Sequence, residues 1–125
     1  MSERRELKSY RDLLVWQAAV EVAVACYGCT KAFPGSEVYG MTSQIRRSAT
    51  SIAANIAEGF GRDGPGQLQQ FLKIAQGSLK ELETHLIIAG RVGLLGERDR
   101  DALLVQCDET GRMLGALIRS TNARI

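Results

Sequence analysis

The sequence predicts an all-α fold, an antiparallel up-down-up-down four-helix bundle. Three observations point to it. Apolar residues recur at steps of three or four through four separate segments, the signature of amphipathic helices. No segment alternates apolar and polar residues as a half-buried strand does. Only 2 prolines occur in 125 residues, Pro34 and Pro65, and both fall between segments. Four helices of about 20 to 25 residues with short connections place neighbours antiparallel.

The first helix is expected over about residues 11–32, with Asp12 as its N-cap or first-turn acid. The Phe33-Pro34-Gly35-Ser36 turn ends it, because the residue before a proline is pushed out of the helical region. Its apolar residues, Leu13, Leu14, Val15, Trp16, Val20, Val22 and Val24, cover most of the circumference. A helix that is apolar nearly all round is buried on more than one side. In a chain this short the second burial surface is another subunit. Leu14, Val15, Trp16 and Val22 are the expected interface residues of a homo-oligomer.

The second helix is expected over about 37–60. Val38, Met41, Ile45, Ala49, Ile52, Ile56 and Phe60 form its core stripe. Beside it run Gln44, Ser48, Ser51, Asn55 and Glu58, small or hydrogen-bonding groups that want partners when half-buried. Ala53 and Ala57 on the other flank permit close approach of a neighbour.

The third helix is expected over about 67–92. Leu68, Leu72, Ala75, Leu79, Leu82, Leu86 and Ala89 alternate steps of four and three, the heptad spacing of left-handed bundles. A flanking stripe is apolar at its ends and polar at Ser78, Glu81 and His85. Those three, with Ser51, Asn55 and Glu58, are the expected structural polar network between helices two and three. They lack the nucleophile elbow and oxyanion loop of a hydrolase.

The fourth helix is expected over about 98–121, with Leu103, Cys107, Thr110, Leu114, Leu117 and Thr121 inward. Residues 1–125 read as one domain with a short flexible arm over about 1–9. The final residues, 122–125, are expected to fray.

Composition narrows the function classes. The chain is 45% hydrophobic and 24% charged, ordinary for a folded domain rather than a disordered one. No apolar run approaches the roughly 20 residues of a membrane span, and the N-terminus lacks a signal-peptide core, so a cytoplasmic protein is expected. Cys26, Cys29 and Cys107 are an odd count, against a disulfide framework. Cys26-Tyr27-Gly28-Cys29 spells C-x-x-C inside a helical pattern, and one histidine cannot complete a four-ligand zinc site. No metal or cofactor is expected. Gly59-Phe60-Gly61-Arg62-Asp63-Gly64 spells a dinucleotide fingerprint, but a helix precedes it where a strand is required. It is read instead as a helix end, with a glycine in the left-handed conformation closing helix two.

Three stretches together carry a family resemblance: residues 10–16 (Tyr-Arg-Asp-Leu-Leu-Val-Trp), residues 43–62 with Ser-Gln-Ile-Arg-Arg-Ser and Asn-Ile-Ala-Glu-Gly, and residues 71–84 beginning Phe-Leu-Lys-Ile-Ala. The chain resembles the four-helix-bundle protein family, also called the 23S ribosomal RNA intervening-sequence proteins. The resemblance covers roughly residues 9–120. Ala53 stands where that family often has proline, and Gln76 where arginine is usual. The resemblance implies a ring-like homopentamer from a family encoded in bacterial ribosomal-RNA intervening sequences or freestanding in bacterial genomes. A related branch comprises accessory proteins of diversity-generating retroelements, whose basic pentamer binds nucleic acid and the reverse transcriptase.

The function expected is therefore non-enzymatic, with RNA or DNA bound by charge and shape. The alternative is an oligomeric scaffold for a protein partner such as a reverse transcriptase. The formal charge is only +2. Divided at helix midpoints, one end of the bundle holds residues 1–21, 50–77 and 110–125, with nine basic and six acidic residues, net +3. The other end holds seven basic and eight acidic, net −1. Arg4, Arg5, Lys8, Arg11, Arg62, Lys73, Arg112, Arg119 and Arg124 would rim the positive end. Of these, Arg62, Lys73, Arg112 and Arg119 are the phosphate-contact candidates, together with Arg46 and Arg47. The last two point about 100° apart on one helix and cannot share a role. Either one of them pairs with Glu81 or Glu58 inside the bundle, or Arg46, Arg47 or both face a groove or pore and contact phosphate.

Overall fold

The structure, a computed structural model, describes residues 8–122. Arg4, Arg5 and Arg124, and the expected arm apart from Lys8 and Ser9, lie outside them. Four helices form the described chain: α1 (Leu14–Thr30), α2 (Met41–Phe60), α3 (Pro65–Arg91) and α4 (Glu97–Asn122). Each packs on its chain neighbours, and α1 also packs on α4, which closes a four-membered bundle. None of the described helices is long and apolar enough to cross a membrane.

Two helices begin later than their periodicity suggests, and capping chemistry is the reason. Asp12 does not cap α1. Its carboxylate accepts from the backbone N–H of Lys8 (2.9 Å) and Ser9 (3.2 Å), while Ser9 Oγ accepts from Arg11 N–H. That reciprocal arrangement folds Tyr10–Asp12 into a separate 3-10 turn. Glu37 likewise belongs to a 3-10 turn, Gly35–Glu37, and its Oε1 accepts from Met41 N–H at 3.0 Å to start α2. Val38, expected in the core, consequently lies exposed in the connection, and Phe60 at the far end is also exposed.

The glycine turns differ in kind. Gly61, which ends α2, has φ −90 and ψ −4, so the expected left-handed glycine is absent there. Gly64 (φ +90) takes that region instead, just before Pro65 opens α3 with its fixed φ. Gly93 (φ +85) closes α3 in a Schellman arrangement, with Leu94 N–H donating to Ala89 O at 2.9 Å.

The core is a continuous apolar column. Ile45, Ala49, Ile52 and Ile56 of α2 meet Leu72, Ala75, Leu79, Leu82, Leu86 and Ala89 of α3. Val15, Ala19, Val22 and Cys26 of α1 and Leu103, Cys107 and Leu114 of α4 complete it. Glycine sets two close approaches. A β-carbon on Gly59 would lie 3.0 Å from Phe71 Cβ, and one on Gly111 would lie 3.2 Å from Leu79 Cδ2. Burial pushes the Cys26 and Cys107 thiols up to about 12 and raises Cys29 as well.

Candidate nucleic-acid interface

The six candidate cations separate into four settings. Arg46 is a packing residue. Its Nε donates to Thr30 Oγ1 at 2.8 Å, and its guanidinium lies over the Tyr27 ring, 4.4 Å from the centroid. The expected carboxylate partner is replaced by a hydroxyl and an aromatic face on α1. Arg47 points the other way, as the 100° offset requires. It lines a cleft of about 330 Å3 between α2 and α3 with Gln44, Ser51 and Glu81, and it makes no ion pair among the described residues.

Arg62 follows α2. It bonds Glu58 four residues earlier and lies over Phe71, 5.1 Å from the ring centroid. The polar network therefore divides. Ser51 and Ser78 share a hydroxyl hydrogen bond of 2.8 Å between α2 and α3, and Asn55 Nδ2 donates to Ser51 Oγ at 2.9 Å. Glu58 leaves that group for Arg62. Glu81 and His85 form their own contact of 3.3 Å along α3.

Arg112 and Arg119 come together in a groove of about 440 Å3 between α3 and α4. Gln76, Lys80 and Glu83 form one wall, Asp108, Arg112 and Arg119 the other, and Leu79, Cys107, Gly111 and Gly115 the floor. Lys80 pairs with Glu83 at 3.3 Å and Arg112 with Asp108 at 3.1 Å. Lys73 lies exposed on α3 one turn from Gln76, and neither it nor Arg119 has a carboxylate partner among the described residues. Lys80 was not singled out from the sequence, although its seven-residue spacing from Lys73 matches that of Arg112 from Arg119.

The expected oligomer residues need a correction. Val15 is 6% and Val22 1% exposed within one subunit, so both are core residues. Trp16 is half-buried and meets Tyr10 edge to face, ring centroids 5.4 Å apart. Leu14 does face outward, 71% exposed. Val24 (60%) and Tyr27 also lie outward, on the side of α1 that carries the exposed Gln17 and Glu21, and the expected interface residues do not include them. Two apolar grooves flank α1. One, of about 520 Å3, runs along α4 by Leu13, Leu14, Met113 and Leu117. The other, of about 580 Å3, runs along α2 by Val20, Ala23, Val24, Tyr27 and Ala53.

Residues 11–116 match the family described as 23S rRNA-intervening sequence protein. Among solved structures, the chain is similar to a protein of unknown function from the S23 ribosomal protein family of Bacteroides thetaiotaomicron VPI-5482. The two share 25% sequence identity and a TM-score of 0.76, over 84% of this chain and 98% of that one. A comparison with curated proteins finds no match. The match over most of the four helices, on a bundle of the same architecture, places this chain in the 23S rRNA-intervening sequence protein family.

Proposed function

We propose that this chain is a cytoplasmic, non-enzymatic homo-oligomer, a pentamer by its resemblance to its family, that binds RNA or DNA by charge and shape. The uncovered apolar face of α1 carries the reading. Leu14 and Val24 stand in water in the single subunit, on an outward stripe that also carries Gln17 and Glu21, and each opens onto an apolar groove; exposed apolar surface marks an interaction site. The grooves on its two sides are both apolar but are lined by different residues. A head-to-tail interface joins two unlike surfaces, and one that closes makes a ring. Each subunit then repeats an end that is net +2 among the described residues, and repeated positive charge attracts polyanions.

Two measurements test it. Light scattering should give about five times the 13.6 kDa of one chain. Titration with structured RNA and duplex DNA should show binding at about 50 mM salt that weakens steeply at 200 mM. A monomer at micromolar concentration, or no binding at the lower salt, overturns the corresponding half.

A second reading, a scaffold for a protein partner, is favoured by the opposite tip. There Val38, Tyr39 (95% exposed), Ile88 and Val92 leave apolar side chains in water. Binding to a protein partner with no affinity for nucleic acid would support it.

A further inference from the structure

The proposed affinity for nucleic acid does not say where a strand lies, and the groove between α3 and α4 answers that. The contact of Gly111 with Leu79 fixes the antiparallel register of the two helices. One residue beyond that contact on each helix, Lys80 and Arg112 flank the groove together. Seven residues back along α3 and seven on along α4, the same antiparallel register sets Lys73, just beyond the groove's lining residues, opposite Arg119. The result is two cationic rungs, about 10.5 Å apart at 1.5 Å per helical residue.

The rungs differ in charge. At the first, Glu83 and Asp108 take up Lys80 and Arg112. At the second, Lys73 and Arg119 have no carboxylate partner among the described residues, and Gln76 adds a neutral amide between the rungs. Gly115 leaves the space over which Arg119 lies, since a β-carbon there would sit 3.4 Å from its Nη1. The second rung also belongs to the net-positive end of the bundle. The groove lies across the bundle from the α1–α2 groove.

Resting on the nucleic-acid reading above, we infer that one phosphodiester strand runs along the α3–α4 groove, with Lys73 and Arg119 holding its phosphates. The strand is read by charge and not by base, because the groove presents no stacking aromatic. Lys80 and Arg112 are secondary contacts. Their present pairs are exposed and weak, so a phosphate can replace a carboxylate at little cost.

The test is Lys73→Gln combined with Arg119→Gln, compared with Arg91→Gln combined with Arg98→Gln at the opposite end. Both doubles remove two charges, and glutamine keeps helix propensity. Anisotropy titrations use one sequence as duplex DNA and as single-stranded RNA across several salt concentrations. The groove double should bind at least tenfold more weakly, with the log–log salt slope on duplex reduced by about 1.8 per subunit engaged, at about 0.9 per phosphate. The opposite-end double should keep the wild-type slope. Equal slopes for wild type and groove double overturn the groove assignment while leaving nucleic-acid binding standing. Absence of binding by the wild-type protein overturns both.

Discussion

Arg46 and Thr30 join α2 to the last turn of α1 through one hydrogen bond of 2.8 Å, and the Thr30 hydroxyl in turn donates a hydrogen bond to Cys26 O at 2.8 Å. The guanidinium also covers Tyr27. Hydrogen bonds to charged groups contribute about 1.5–3 kcal/mol, and an exposed cation–π contact about 0.5–1. Arg46→Ala should therefore lower stability by about 2 kcal/mol in urea unfolding, with nucleic-acid affinity unchanged after correction for the folded fraction. Arg46→Lys should recover less than half, because an ammonium lacks the planar face that lies on Tyr27. A fully stable Arg46→Ala protein with lost binding would return this arginine to the interface.

Two glycines on facing helices predict opposite signs. A β-carbon on Gly59 meets Phe71 Cβ at 3.0 Å, Leu68 Cδ1 at 3.1 Å and the Leu68 carbonyl oxygen at 3.3 Å. Backbone cannot rotate aside, so α2 and α3 must separate. Overpacking of this kind costs about 1–3 kcal/mol, against about 1 kcal/mol gained in helix propensity. Gly59→Ala should be destabilising. Gly77 is exposed in α3 with nothing within 4 Å of an added β-carbon. Gly77→Ala should stabilise by about 0.8–1.0 kcal/mol. Thermal unfolding of the two variants beside wild type checks both signs.

These cases show what the chain reveals without its structure. The α3 stripe is legible because its alternating steps of four and three run unbroken: from Leu72 to Ala89 every expected core position is buried, and Leu68 is half-buried. The inward face of α1 is harder to read, because apolar residues fall on both sides of the helix. The signal is Gln17 and Glu21: Val24, three residues after Glu21, shares their exposed side, whereas Val22 lies with the buried Val15, Ala19 and Cys26. The partner of Arg46 was missed because Thr30 reaches it only through the turn between α1 and α2. The register of that turn depends on Glu37 acting as a cap. The pairing of cationic rungs across α3 and α4 similarly needed the Leu79–Gly111 contact.

The buried thiols set a pH dependence. Cys26 and Cys107 are pushed from an ordinary value of 9.0 up to about 12, first by desolvation. The folded-state value is the higher one, so their contribution is complete below pH 9 and is lost as pH rises from about 9 to about 12. Across that window the unfolded chain releases protons that the folded chain keeps. Each thiol should remove up to about 1.4 kcal/mol per pH unit. Urea midpoints measured from pH 8 to 10.5 should fall more steeply for wild type than for the Cys26→Ala, Cys107→Ala double variant. Parallel curves would mean that the thiols do not contribute.

The apolar face of α1 allows folding and assembly to be separated. Val24 is exposed in one subunit and lines the groove toward α2, whereas Val22, two residues earlier, is buried in the core. A glutamate at 24 stays solvated in the isolated subunit but must be desolvated in an assembly that covers α1, and an unpaired charge there is strongly disfavoured. Val24→Glu should keep its helical circular dichroism and elute as a smaller species, and Leu14→Glu should do the same from the other groove. Val22→Glu should lose the fold itself, since it places the charge among Ile45, Ile52 and their neighbours. Light scattering and circular dichroism on the three variants distinguish these outcomes. If Val24→Glu and Leu14→Glu both remain assembled, α1 is not the interface, and the exposed tip at Ile88 and Val92 becomes the surface through which subunits meet.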